Sequence, residues 1–205
     1  SLYPITQSIV SSVANMEPAV INALNRLSKR FVLFDHLTPL PMVNCYQTPE
    51  TLGHDRIAAA VGATHLCPNC NLLIIDAGSA VTYDFVSAEK GYLGGNIAPG
   101  IKMRLTALNQ MTKRLPKVEV EPDALTPLFG KNTNEAIAAG VVRGLVFEVK
   151  GYMRSLKEQK TPFTTYITGG HAPYILNALK SNVKGEPHLV LIGLNCILEY
   201  NKINH

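Results

Sequence analysis

Two hydrophobic periods trade places along this chain. Residues 17–29 carry apolar side chains at Ala19, Val20, Ala23, Leu24 and Leu27, the spacing of an amphipathic helix. A loosely alternating stretch, 5–13, precedes it and the short apolar run 31–34 follows it; both predict strands. Residues 38–49 hold three prolines and predict a loop, with a short strand at 42–44. A helix is expected over 55–61, closed by Gly62. The apolar run from Leu72 to Ile75 then ends in Asp76, passes through Ala77, Gly78 and Ser79, and resumes as alternation to Val86. That pattern predicts a buried strand, a tight turn and a second strand.

Beyond it, 91–93 starts a further strand or turn, and the glycines of 94–100 predict a second turn. Apolar Ile101, Leu105 and Leu108 share one face of a helix over 101–110. Residues 115–127, with three prolines and several acids, predict an exposed loop. Thr133 is the expected N-cap of a long helix over 136–157. A strand at 164–168, a third Gly-rich turn at 168–172, a helix over 172–180, a short strand at 187–190 and a last helix over 193–200 complete the series. Strands and helices alternate, so the expected class is α/β.

Composition narrows the class without changing it. The 205 residues are 46% hydrophobic and 17% charged, enough to bury a core and too apolar for a disordered chain. A net charge of +4 on scattered Lys and Arg is not the basic stripe of a nucleic-acid binder. No apolar run is long enough to span a membrane, and Ser1-Leu2-Tyr3-Pro4 lacks the pattern of a signal peptide. Of the cysteines, Cys67 and Cys70 form a lone C-x-x-C ahead of a strand. With only His65 close by, reduced structural thiols are expected before a metal or redox pair. These points together predict a cytoplasmic protein.

Three small-residue turns suggest a nucleotide site. At the first, backbone N–H groups and the Ser79 hydroxyl suit phosphate, and the Asp76 carboxylate suits a cation. Asp76 on its own fits a hydrogen-bonded turn residue equally well. Gly100 stands where an anion can meet a helix N-terminus, and Gly169 and Gly170 leave room for a flat base against the backbone. Each of these glycines also fits a plain turn. In the stretch from Tyr46 to Arg56, Asp55 could accept a proton from a hydroxyl and Arg56 could pair with an anion. A helix-capping Asp beside a surface Arg fits the same two letters.

Taken in order, these pieces resemble the type III pantothenate kinases. The matching segments are Y-x-T-P-E-T-L-G-x-D-R from Tyr46 to Arg56, D-A-G-S-A-V-T-Y-D from Asp76 to Asp84, and G-G-x-I-x-P-G from Gly94 to Gly100. G-x-N-T-x-E-A-I-x-x-G from Gly130 to Gly140 and T-G-G-x-A from Thr168 to Ala172 follow in the same order. The resemblance implies two ribonuclease H-like halves of the actin and sugar kinase superfamily, here 1–70 and 71–205, with a cleft between them. It implies ATP-dependent phosphorylation of pantothenate, the first step of coenzyme A synthesis. Asp55 would be the general base; Tyr46, Gly53, His54, Arg56 and Thr133 would contact pantothenate. Gly78, Ser79, Gly169 and Gly170 would serve ATP and its Mg2+, and Asp76 would hold potassium or ammonium. The family usually has Thr where Ser79 stands, and Ser keeps the hydroxyl.

Family members open with a strand and a D-x-G-N-T turn. No such motif precedes Tyr46, so the first half is expected to lack its N-terminal hairpin in this chain. The family also forms homodimers; 136–157 is a candidate interface helix, although a helix buried within the chain has the same pattern. The runner-up is a non-catalytic regulatory or accessory member of the family without the phosphate loop. A kinase for a sugar or small acid fits the L-G-x-D-R segment less well. The expected partners are pantothenate and ATP, with no nucleic acid and no membrane.

Overall fold

The computed structural model describes residues 5–12, 16–121, 126–179 and 183–203. Its elements, in order, are β1 (Gln7–Ser11), α1 (Pro18–Leu27), β2 (Arg30–Phe34), a 3-10 turn (Pro49–Thr51), α2 (His54–Leu66), β3 (Leu72–Ala77), β4 (Ala80–Ser87) and β5 (Gly91–Pro99). There follow α3 (Ile101–Gln110), α4 (Thr133–Glu158), β6 (Thr164–Thr168), α5 (Ala172–Leu179), β7 (Val183–Gly185) and α6 (Leu189–Ile203). The chain divides into two compact units. One comprises Ser1–Asn69, Val86–Gly94 and His188–His205, the other Cys70–Phe85 and Gly95–Pro187.

In the first unit β1 and β2 run parallel, Gln7 opposite Arg30 and Ser11 opposite Phe34, with α1 as their crossover. A parallel pair needs such a crossover, and the amphipathic 17–29 segment supplies it. From Arg56 to Ala63, α2 is buried at every position, so its small residues meet neighbours all round. One neighbour is α6. A Cβ on Gly62 would lie 2.3 Å from the Leu189 carbonyl oxygen, and one on Gly193 would lie 1.7 Å from that of Ala58. The two helices therefore pack backbone to backbone at this crossing. Gly62 does not end α2 as its identity suggested; the helix runs on to Leu66 because tertiary packing outweighs glycine's weak intrinsic penalty.

The second unit is built on a five-stranded sheet of order β5-β4-β3-β6-β7. β6 pairs parallel with β3, Leu72 opposite Thr164 and Asp76 opposite Thr168, and β7 pairs parallel with β6. Leu73, Ile75 and Ala77 share one core with Val81 and Tyr83 of β4, Ile167 of β6 and the inward faces of α3, α4 and α5. By the strand period of two, Asp76, Thr82, Asp84 and Thr168 stand on the opposite face.

Two further expectations are corrected. The Gly94–Gly100 turn is mostly strand: β5 runs through Gly94 and Gly95 to Pro99, and only Gly100 turns into α3. No strand forms at 187–190. The last strand is β7, four residues earlier, and α6 already begins at Leu189. The expected ends at Val13 and Lys180, and the middle of the 115–127 loop, lie outside the described residues. No helix among the described residues is long and apolar enough to cross a membrane. Cys45, Cys67, Cys70 and Cys196 are unbridged.

The helix crossing sets a test. Gly62→Ala and Gly193→Ala should each cost about 3 kcal/mol of stability, because the clash is with backbone and no side chain can turn aside. Gly151→Ala, on α4 with nothing within 4 Å of the new carbon, should instead gain up to about 1 kcal/mol. Denaturant unfolding of the three variants checks the difference in sign.

Candidate active site

The first unit assembles the Tyr46–Arg56 segment. Residues 43–45 pair with the start of β5: Tyr92 donates its N–H to the Val43 oxygen at 2.9 Å and accepts from the Cys45 N–H at 2.9 Å. Asn44 Oδ1 takes the Tyr46 N–H at 3.0 Å and bends the chain there. A 3-10 turn closed by Thr51 Oγ1 on the Thr48 oxygen leads to buried Leu52 and then to Gly53, the N-cap of α2. A Cβ on Gly53 would fall 2.6 Å from Asp55 Oδ1. That carboxylate curls back over the helix start and accepts the Arg56 N–H at 2.8 Å.

Asp55 is exposed while Arg56 is only 6% exposed. Neither side chain matches the bland alternative: Gly53 is the cap, and the arginine is not on the surface. The Arg56 guanidinium lies over the Tyr46 ring, 5.9 Å from its centre. Half-buried His54 tilts against Phe34 at 5.0 Å, and its buried Nδ1 has no hydrogen-bond partner. Tyr46, Gly53, His54, Asp55 and Arg56 thus form one group around the first turn of α2.

The second unit assembles the glycine turns. β3 delivers Asp76 to its end, half-buried, ahead of the Gly78-Ser79 turn, where Ser79 is exposed. Gly169 has φ +91°, a conformation open to glycine. Its missing Cβ would sit 2.4 Å from Asp76 Oδ1 and 2.6 Å from the Ala77 carbonyl carbon. On the other side Gly100 donates its N–H to the Ser79 oxygen at 3.1 Å, and a Cβ there would strike that oxygen at 2.3 Å. His171 closes the group: its N–H donates to the Ala77 oxygen at 2.9 Å, and Nδ1 lies 3.1 Å from the Gly78 oxygen. The first residues of α3 and α5 follow directly on Gly100 and His171. Asp76, Gly78, Ser79 and Gly169 are therefore brought together. Gly170, next along, is exposed with open space at its Cβ position. Among the described residues no three His, Cys, Asp or Glu side chains converge.

Thr133 stands in a different groove of the second unit, beside Met111, Gly130, Ile137 and Gly140. It is the first residue of α4 and not the expected cap. Asn132 caps the helix, its Oδ1 taking the Glu135 N–H at 2.9 Å, while Glu135 reaches back to the Lys131 N–H at 2.8 Å. The Thr133 hydroxyl is left exposed.

A family model described as type III pantothenate kinase matches residues 2–155. The chain belongs to this family. A type III pantothenate kinase of Phocaeicola vulgatus is 43% identical over 201 residues, covering 98% of this chain and 82% of its own length. One from Porphyromonas gingivalis is 47% identical over 167 residues, 80% of this chain and 67% of the relative. One from Cytophaga hutchinsonii is 41% identical over 192 residues, 94% and 80% of the two chains. Among solved structures, a Campylobacter jejuni protein described as a Baf family transcriptional activator superposes with a TM-score of 0.62 at 24% identity. That match covers 98% of this chain and 86% of that one. A Sinorhizobium meliloti 2-dehydro-3-deoxygalactonokinase superposes at 0.51 and 12% identity, over 70% and 58%. Both likenesses concern the fold, a mixed α/β fold of the actin and sugar kinase type.

In this pantothenate kinase family member, side chains to which the motifs assign no role hold the Gly78-Ser79 turn in place. Arg104 of α3 makes a two-pronged ion pair with Glu148 of α4, 2.7 Å at each prong, and its Nε donates to the Pro99 oxygen at 2.7 Å. The same glutamate accepts the Tyr83 hydroxyl at 3.0 Å, and Tyr83 stacks on Tyr152 at 4.2 Å. One network thus ties β4, the end of β5, α3 and α4 together, one residue from Gly100. The hydrogen bond from Arg104 holds the Glu148 carboxyl below the usual carboxylate range, and the same bond raises Arg104. Burial, then the Glu148 charge, pushes the Tyr83 phenol up, so it stays protonated and donates. A mid-strand Tyr and a charged pair 44 residues apart carry no local signal in sequence. His171 did have one, standing directly after Gly169-Gly170.

Because the Glu148 pKa is depressed in the folded chain, its contribution is present above the ordinary glutamate pKa. It is lost as pH falls through the folded value. Glu148→Gln should therefore lower stability at pH 7 by about 1 kcal/mol, a modest figure because the carboxylate is partly solvated. Melting curves of the variant and wild type should converge as pH drops below the ordinary glutamate range.

Proposed function

We infer that the protein transfers the γ-phosphoryl group of ATP to the primary hydroxyl of pantothenate. The products are 4′-phosphopantothenate and ADP, and the reaction is the first step of coenzyme A biosynthesis. Family membership supports the reaction. The observation that carries the assignment of residues is Asp55, an exposed carboxylate held at the first turn of α2 beside a buried arginine.

The chemistry follows from that geometry. The pantothenate oxygen forms a bond to the γ-phosphorus as the bond to the β-phosphate oxygen breaks, and the hydroxyl proton passes to Asp55. Phosphoryl transfer asks mainly for positioning and charge neutralisation. A carboxylate positioned to take the hydroxyl proton is what Asp55 supplies to that step. Gly53 lets the carboxylate fold back; a side chain there would collide with it. Tyr46, His54 and Arg56 shape the rest of the substrate loop, Arg56 as partner for an anionic group. Thr133 offers a free hydroxyl for pantothenate, its capping duty having passed to Asn132.

For ATP, the exposed Ser79 hydroxyl and the backbone of Gly78, with the starts of α3 and α5 close by, suit phosphate oxygens. Gly169 and Gly170 leave space beside them. The donor set at Asp76 suits a monovalent cation, potassium or ammonium. One carboxylate is ringed by main chain so tightly that no Cβ fits at Gly169. Charge neutralisation by that ion and by Mg2+ on the nucleotide belongs to the same reading.

The two ribonuclease H-like halves and a homodimer are also part of this proposal. Exposed Met111, Phe129 and Phe147 of the second unit are apolar surface of the kind a second copy would cover. An accessory role gains no support, since an accessory protein has no use for an exposed carboxylate poised at the substrate loop.

Pantothenate-dependent ADP release by the full-length gene product, with ATP, Mg2+ and potassium or ammonium, tests the reading. Wild type should turn over. Asp55→Asn should lose at least about a hundredfold in kcat with its fold intact. Comparable rates for the two proteins would remove Asp55 from the chemistry. A silent wild type with either cation would overturn the kinase reading.

A further inference from the structure

Tyr92 lies outside every residue assigned above, yet it stands directly behind the substrate loop. Its side chain is fully buried, one of the largest in the molecule with no exposure. Its main chain grips the loop's leading segment from both sides through Val43 and Cys45. That close approach needs Gly91: φ there is +85°, and a Cβ would lie 2.2 Å from the Val43 oxygen. The Tyr92 ring meets the Tyr46 ring at 6.1 Å between centres, tilted by 57°. Gly94, with φ +138°, brings bare backbone to the side of the same ring; a Cβ there would lie 3.8 Å from it. Tyr46 is met in turn by the buried Arg56 guanidinium, which lies over its ring. Tyr92, Tyr46 and Arg56 thus form a row from the core to the substrate loop, all within the first unit.

We propose that Tyr92 is a positioning residue for the acceptor substrate. It backs the Tyr46 ring, and Tyr46 in turn is the platform that orients Arg56. The proposal rests on the pantothenate reading above and adds a residue to it. The argument is mechanical. Tyr46 is only half-buried, so its ring direction is set by what it leans on: Tyr92 behind, Gly94 beside, Arg56 in front. Removing the Tyr92 ring leaves a cavity, the Tyr46 ring relaxes into it, and Arg56 loses its aromatic face. Asp55 is held otherwise, by its own bond to the Arg56 N–H at the helix start. The row therefore governs acceptor binding more than the proton transfer.

Steady-state kinetics on the full-length gene product separate these roles. Tyr92→Leu should raise the pantothenate KM by about tenfold and leave the ATP KM and kcat within about threefold. Tyr92→Phe, which keeps the ring, should stay within about twofold of wild type on all three. Ile197→Val, a fully buried change in α6, controls for destabilisation alone and should leave the pantothenate KM unmoved. If Tyr92→Leu does not fold, Tyr92→Met takes its place. A folded Tyr92→Leu or Tyr92→Met with wild-type pantothenate KM overturns the proposal. So does a rise in which both KM values change together, as general loosening would give. A wild type that never turns over pantothenate fails the functional reading itself, a result the wild-type control shows before any variant is compared.

Discussion

Contact of main chain with main chain, at glycines where no Cβ fits, is the constraint on which this structure depends. In the second unit Gly169 presses on Asp76 and Ala77 while Gly100 presses on Gly78 and Ser79. Three separate stretches of chain thereby meet at one turn, with no side chain between them. In the first unit the same device sets α2 against α6 through Gly62 and Gly193. A Cβ between 1.7 and 2.6 Å from backbone cannot be absorbed by a rotamer change, so these positions tolerate glycine alone. The result is a turn fixed by main chain from two sides and a helix locked against α6 at Ala58 and Gly62.

The two groups of candidate residues differ in how they are built, and the difference fits their proposed chemistry. Around Asp76 the polar equipment is mostly main chain, with one carboxylate and one hydroxyl, which is what phosphate oxygens and a monovalent cation require. Around Asp55 it is side chain: a carboxylate in solvent, a buried guanidinium, two aromatic rings and a histidine. That suits an acceptor with several functional groups of its own, recognised by shape as well as by charge. The Arg104–Glu148–Tyr83 network serves neither group directly. It fixes α3 and the end of β5, and so keeps Gly100 against Ser79.

Much of this was legible in sequence because local chemistry and tertiary role agree at the motif residues. An apolar run ending in Asp76, then Gly78 and Ser79, has no other comfortable reading than a strand into a tight turn. What failed did so where glycine or a capping residue had a tertiary task. Gly62 reads as a helix end and is a helix crossing. Gly94 and Gly95 read as a turn and are strand, the first of them leaving room for Tyr46. Thr133 reads as a cap, but Asn132 one residue earlier has the better acceptor and takes it. His188 and Leu189 follow a proline and look extended, yet burial of Leu189 against Gly62 starts α6 there. Tyr92 shows the limit plainly: in sequence it is one aromatic in a glycine-rich strand, and its meaning lies in a contact 46 residues away.

The central claim is that an acceptor hydroxyl brought to Asp55 receives the phosphoryl group of ATP. The most direct test identifies the product. Full-length protein would be incubated with pantothenate and ATP labelled in the γ-phosphate, and the products separated by mass and by phosphorus NMR. The account predicts one labelled phosphate on the primary hydroxyl of pantothenate for each ADP formed. ADP without labelled phosphopantothenate, or label on any other atom of the acceptor, would contradict it.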